Sequence, residues 1–204
     1  ETVRVVEASG RRAVAYPGDI QDEEFCKNLI ERTVEDLGKI DILINNAAFQ
    51  STHERFTDIT TELWQRAMRT NLDAMFYLSK YALKRMPPEG GAIINTTSIQ
   101  AFQSSPELTH YATTKGGIVS FTRALAKDAI QQGVRVNAVA PGPIWTPLIV
   151  STMDPEKYTT FGENTPMGRA GQPKELAPAY VFLASNDSSY ITGEIIGVTG
   201  GNPL

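Results

Sequence analysis

Residues 92–117 read AIINTTSIQAFQSSPELTHYATTKGG, and their first six residues set the fold class. AIINTT (92–97) is a continuous apolar run closing in threonines, the pattern of a strand buried on both faces of a parallel sheet. A helix is predicted from Tyr111 to Gln131, on the far side of a polar connection. The same alternation recurs in both directions. Upstream, helices are predicted over Thr2–Ser9, Asp22–Leu37 and Thr61–Met86, with strands over Arg12–Tyr16 and Ile40–Asn45 (IDILIN). Downstream come a strand over Val134–Ala140 cut off by Pro141-Gly142-Pro143, an irregular stretch over 145–172, a helix over Pro173–Ala184 and a strand over Ile195–Thr199. Strands alternating with helices imply an α/β protein, a Rossmann-type doubly wound parallel sheet in three α/β/α layers. Ligands of this class sit outside the carboxyl ends of the strands. Asp19, Asn45, Ser98 and Pro141-Gly142 all fall at or just past such ends.

Within the quoted stretch, Ser98, Tyr111 and Lys115 are spaced Ser-x12-Tyr-x3-Lys. A Tyr and a Lys four apart share a helix face, so the ammonium can sit beside the phenol and favour its ionised form. Ser98 closes the strand and can return its hydroxyl to the same place. Such a trio suits proton transfer to or from a substrate oxygen. Taken alone, Tyr-x3-Lys also arises on solvated helix faces that carry no chemistry.

The 204 residues suit one domain with a substantial core, taken as residues 1–204. A net charge of −4 without a basic run argues against nucleic acid as a partner. No window has the roughly 18 uninterrupted apolar residues of a membrane span, so no membrane partner is expected. The lone Cys26 fits a reducing compartment, and a cytoplasmic location is expected. Two His and one Cys give no basis for a dedicated metal site.

With Asn45-Asn46-Ala47, Asn71 inside a predicted helix and the Pro141-Gly142 turn, the chain resembles the short-chain dehydrogenase/reductase family over its whole length. SSPELTHYATTKGG, VNAVAPGPIWTPL and PMGRAGQPKELAPAYVFLAS are most similar to its bacterial and plant general-stress branch, described as aldehyde reductases or glucose/ribitol dehydrogenase-like proteins. The resemblance implies an NAD(P)-dependent enzyme interconverting a carbonyl and an alcohol, with a weak lean towards NADP over NAD. It implies Tyr111 as general acid and base, Lys115 lowering the phenol's pKa and holding the nicotinamide ribose, Ser98 holding the carbonyl, and Asn71 holding a water of a proton relay. It further implies that Asp19 and Ile20 meet the adenine, that Asn45 and Ala47 line the cofactor groove, and that Pro141, Gly142, Ile144 and Thr146 flank the nicotinamide. The substrate pocket is expected from Ser98, Gln100, Phe102, His110 and Trp145, under a mobile lid at about 146–166. Those side chains suit a small polar carbonyl or polyol.

Bland readings stand beside these. Asn71 can be a solvated or kink-stabilising residue, Asn45-Asn46 a strand end, Asp19 a turn residue, and His110 a pocket wall or surface residue. Ala48 stands where the family has Gly, and Thr199 where an acid usually precedes Gly-Gly. The family's opening strand, glycine-rich turn, helix and second strand are not found, and the chain begins at Glu1 inside a predicted helix. The sequence is therefore expected to be the remainder of a longer protein, and a chain truly starting there to bind cofactor weakly. The competing readings are a same-family epimerase or dehydratase, and a truncated, non-catalytic form that associates with full-length subunits. Apolar residues on the helices at 61–86 and 111–131 predict a homo-tetramer, or a homodimer; the alternative is that they only fill the core.

Overall fold

The computed structural model describes residues 1–152 and 158–204. Four strands, β1 (Ile42–Asn45), β2 (Gly91–Thr96), β3 (Val134–Pro141) and β4 (Ile195–Val198), form one sheet in the order β1-β2-β3-β4. All pairings are parallel, with Ile44 opposite Ile94, Ile94 opposite Asn137, and Ala138 opposite Ile195. Because side chains alternate along a strand, β2 serves two cores. Ile93 joins Leu43, Val134 and Val136 under three helices, through Ile30, Ala82, Ala126 and Ala129. Ala92 and Ile94 join Val139 and Leu183 on the opposite face. Ile42 and Ile44 lie on that second face too, yet each is nearly half exposed.

The three helices of the first face are α2 (Glu23–Leu37), α4 (Ala74–Leu83) and α5 (Thr109–Ala129), while α7 (Pro173–Ala184) covers the second. A short α1 (Thr2–Ala8) precedes them. Helix α2 begins where the Asp22 carboxylate accepts the Glu24 and Phe25 amides, and stops at Gly38, whose φ of 94° only glycine adopts freely. The end of α7 is closed from β3. Arg135 donates to the carbonyls of Leu183 (2.9 Å) and Ser185 (3.1 Å), and to the Ser188 hydroxyl (2.8 Å). At the other end of α7, Arg169 grips Glu175 with two bonds of 2.7 and 2.8 Å, which holds that carboxyl down at about 2.

Two expectations need correction. Residues 12–16 form no strand, because a strand exists only through ladder bonds to a neighbour and none lies beside this segment. It is tied instead to α2: the Arg12 guanidinium donates to the Asp36 carbonyl, the Tyr16 hydroxyl donates to the Asp36 carboxylate at 2.5 Å, and Arg32 stacks 4.4 Å from the Tyr16 ring centre. The predicted helix over 61–86 is not uniform. Helix α3 (Thr61–Met68) passes through a π-helical turn at Arg69–Asp73 into α4, and the helix ends at Leu83. No helix among the described residues is long and apolar enough to cross a membrane.

Candidate active site

Asn71 causes the π-helical turn or is served by it, for it sits in the middle and is only 2% exposed. Its Oδ1 accepts the Phe49 amide at 2.7 Å, and its Nδ2 donates to the Phe49 carbonyl at 2.9 Å and to Thr114 Oγ1 at 3.0 Å. One side chain thereby pins the loop after β1 to α5. Such a paired backbone contact needs an amide at this position, and the wider turn brings it inward.

The end of β2 is fastened to the same helix. Thr97 Oγ1 donates to the Lys115 carbonyl at 2.7 Å, and Lys115 Nζ donates to the Thr96 carbonyl at 2.8 Å. Lys115 Nζ also lies 5.3 Å from the centre of the Tyr111 ring. Ser98 follows directly on the strand, and its Oγ accepts the Gln100 amide at 3.2 Å. The sequence spacing of Ser98, Tyr111 and Lys115 is thus converted into proximity by a strand end and one helix face.

Burial dominates the electrostatics. Lys115 is 2% exposed and faces a peptide carbonyl, so desolvation lowers its pKa to about 7. Tyr111 is pushed up to about 12, by burial first, with the hydrogen bond to Ser98 acting downward and Tyr180 upward. In the ligand-free protein, burial outweighs any lowering of the phenol by Lys115. At neutral pH the pair offers a protonated phenol beside an amine that can take or release a proton.

These groups line a cavity of about 570 Å³. Ser98, Gln100, Tyr111 and Lys115 form one wall, Ala47 another, and Pro141, Gly142, Ile144 and Thr146 a third. Gly142 lets that third wall approach β4, since a Cβ there would lie 2.8 Å from the Thr199 Cα. A smaller cavity of about 70 Å³ adjoins it through Asn46, Ala47 and Thr96 and contains Ile20, Asn45 and Asn71. Asn45 donates to Asn95 Oδ1 (2.9 Å) and Ser79 Oγ (3.2 Å), while its own Oδ1 is buried with no protein partner.

Four expected site residues lie outside both linings. Asp19 is exposed and accepts the Gln21 amide at 2.9 Å, closing a turn ahead of α2. Phe102 and Trp145 are each 37% exposed, Trp145 packing on Phe161 and edge-on to Tyr158. His110 points away from Tyr111, as adjacent helix residues must. It is fully buried, its ring centre 5.5 Å from that of His53, and burial followed by the second imidazole lowers its pKa. Residues 153–157 of the expected lid lie outside the described residues. Sequence reasoning missed Gln50, Thr96 and Leu148, which also line the larger cavity; Gln50 lies three residues after the Asn-Asn-Ala motif, the one signal that could have drawn notice. Among the described residues, no three His, Cys, Asp or Glu side chains are grouped to hold a metal.

Comparison with known proteins agrees with this geometry. A family model described as Enoyl-(Acyl carrier protein) reductase matches residues 1–202. General stress protein 39 of Bacillus subtilis is 50% identical over 202 residues, covering 99% of this chain and 70% of that protein. The protein named NADPH-dependent aldehyde reductase 1, chloroplastic, of Arabidopsis thaliana is 47% identical over 195 residues, 95% of this chain and 67% of its own length. A solved structure of 7 alpha-hydroxysteroid dehydrogenase complexed with NADH and 7-oxo glycochenodeoxycholic acid superposes with a TM-score of 0.90 at 33% identity, over 98% of this chain and 78% of that one. A four-stranded parallel sheet, a serine at a strand end facing a Tyr-x3-Lys helix, and these likenesses make the chain a member of the short-chain dehydrogenase/reductase family of oxidoreductases.

Proposed function

We propose that the protein interconverts a carbonyl compound and its alcohol with a nicotinamide cofactor, Tyr111 acting as the acid and base. The observation that carries this reading is the convergence of Ser98, Tyr111 and Lys115 on the wall of one cavity. The residues present fit the cofactor. The 141–146 wall, Ala47 and Lys115 line one cavity, and the adjoining smaller cavity is lined by Asn45, whose Oδ1 is orphaned. Asn45, Ala47, Lys115, Pro141, Gly142, Ile144 and Thr146 would hold the nicotinamide half, with Ile20 and Asp19 towards the adenine. When bound, the nicotinamide ring supplies or accepts the hydride.

The remaining steps belong to the chain. Ser98 Oγ donates to the carbonyl oxygen and fixes its position. The Tyr111 hydroxyl delivers the proton that the oxygen needs as the carbon is reduced, and in the reverse direction takes it back. Lys115, titrating near neutrality, returns a proton to the phenolate or withdraws one. One hydride and one proton thus add across one C=O bond. The relative named as NADPH-dependent supports NADP over NAD.

The polar-substrate expectation rested on Gln100, Phe102, His110 and Trp145, of which Gln100 lines the cavity and the other three do not. Beside the polar Asn46, Gln50, Thr96, Thr97 and Gln100, its lining includes Ile99, Leu108, Leu148, Ile149 and Phe161, an apolar share that suits a carbonyl with an apolar body. We take residues 1–204 as one catalytic domain, 146–166 as its lid, and the assembly as a homo-tetramer or homodimer in the cytoplasm. Two experiments test the reaction. Fluorescence titration with NADPH and NADH should give saturable binding, tighter for NADPH. Tyr111→Phe should retain that binding while NADPH oxidation with pentanal or D-glucose falls by about 10²–10⁴-fold, the usual worth of a positioned proton donor. Unaltered turnover in the Phe variant would overturn the assignment.

A further inference from the structure

Helix α6 (Pro147–Thr152) supplies Pro147, Leu148 and Ile149 to the cavity wall. Six residues are far too few to hold a helix by themselves in water, so its placement must come from tertiary contacts. The contact at its carboxyl end is Gln50, which sits on the loop after β1 and is nevertheless only 7% exposed. Gln50 Nε2 donates to Thr152 Oγ1 at 2.8 Å, and that hydroxyl donates in turn to the Leu148 carbonyl at 2.6 Å. Thr52 Oγ1 adds a longer bond to the Thr152 carbonyl, 3.4 Å. Gln50 is itself held from behind, because its neighbour Phe49 is gripped at both backbone groups by Asn71, which also donates to Thr114 of the catalytic helix. A second brace reaches α6 from outside, where the Tyr158 hydroxyl donates to the Val150 carbonyl.

We infer that Gln50 is a positioning residue: it latches α6 through the Thr152 hydroxyl and so sets where Leu148 and Ile149 stand against the substrate. The latch joins two sets of hydrogen bonds through the Phe49–Gln50 peptide linkage, one running from α5, which bears Tyr111 and Lys115, through Asn71 to Phe49, the other from Gln50 through Thr152 to α6. A buried amide whose donor would be left unpaired without Thr152 gives the contact its directionality. The assignment rests on the reading of this cavity as the site of carbonyl reduction, but the latch itself is a property of the ligand-free protein.

Thr152 does not line the cavity while Gln50 does, and this separates latching from direct substrate contact. The variants are Gln50→Ala, Thr152→Val, both together, and Thr152→Ser, which keeps the hydroxyl. Two readouts are used: KM and kcat with NADPH and pentanal or D-glucose, whichever the wild type turns over faster, and hydrogen exchange of the 148–152 amides without ligand. For Gln50→Ala and Thr152→Val alike, KM should rise about fivefold and α6 exchange accelerate about fivefold, the equivalent of one neutral hydrogen bond. The double variant should be no worse than either single one, kcat should move less than KM, and Thr152→Ser should restore wild-type behaviour. A rise in KM with Gln50→Ala alone would show that Gln50 touches the substrate and would overturn the latch. Equal α6 exchange in all variants would overturn it as well. If the wild type reduces no carbonyl compound, the proposed reaction fails, and the exchange measurement still decides the latch.

Discussion

Lys115 is held without a counter-charge, and that has a measurable thermodynamic signature. Its pKa of about 7 in the folded chain lies below the ordinary 10.5. Between those values the unfolded chain binds a proton that the folded chain does not, so stability rises with pH over this window and is lost as pH falls towards 7. The full span corresponds to a magnitude on the order of 5 kcal/mol. Tyr111 acts oppositely: its phenol is raised from 10.0 to about 12, so stability contributed by the retained proton is lost once pH exceeds 10. Thermal unfolding of the ligand-free protein should therefore show Tm climbing from pH 7 to about pH 10 and then declining. Lys115→Met should flatten the climb while leaving the decline. A wild-type Tm that does not change between pH 7 and 10 would count against a neutralised lysine.

At the scale of elements, the strands at 42–45, 91–96, 134–141 and 195–198 were legible because each is a short apolar run, and the central two are covered on both faces, which few other structures permit. The segment at 12–16 has a similar composition, but apolarity does not supply the neighbour that makes a strand. Loop residues were the least legible. Gln100 lines the cavity whereas Phe102 and Trp145 do not, since side-chain direction outside periodic structure follows from particular local contacts. The closure of α7 by Arg135 is another such detail, invisible in an alternating strand pattern. Arg135→Met removes three donors from the carbonyls of Leu183 and Ser185 and from the Ser188 hydroxyl. The expected loss is about 2 kcal/mol, or roughly 4–8 °C in Tm for a chain of this size, read by calorimetry. A shift under about 1 °C would mean that water replaces the guanidinium fully.

For the whole molecule, the helices expected at a subunit interface divide their apolar residues. Met75 and Ile118 are 4% and 3% exposed and belong to the interior, whereas Phe76 and Ile130 are 47% and 40% exposed. The interior-filling alternative therefore accounts for part of the set and leaves an outward remainder. Light scattering at micromolar concentration should give two or four times the chain mass, and Phe76→Glu should lower it. A monomeric wild type would refute the assembly. Ser98, Tyr111 and Lys115 needed only a strand end and a helix face to be placed correctly. The network through Asn71 and Gln50 needed the whole arrangement of loops.

The π-helical turn at Arg69–Asp73 bears on how the gene can change length. Each α-helical residue advances the chain by about 100°, and a π-turn is one residue inserted into that count. Removing a single codon here would close the wide turn into a regular α-helical one and leave the flanking faces close to their present register, at the cost of the inward swing that carries Asn71. Asn71 would then leave the Phe49 backbone while Ala74, Met75 and Ala82 keep their places in the interior. A one-residue deletion at 69–73 should therefore cost the Asn71 contact, whereas one in the exposed 54–58 stretch is absorbed, so the wide turn works as a device that faces one side chain inward without disturbing the rest of the helix.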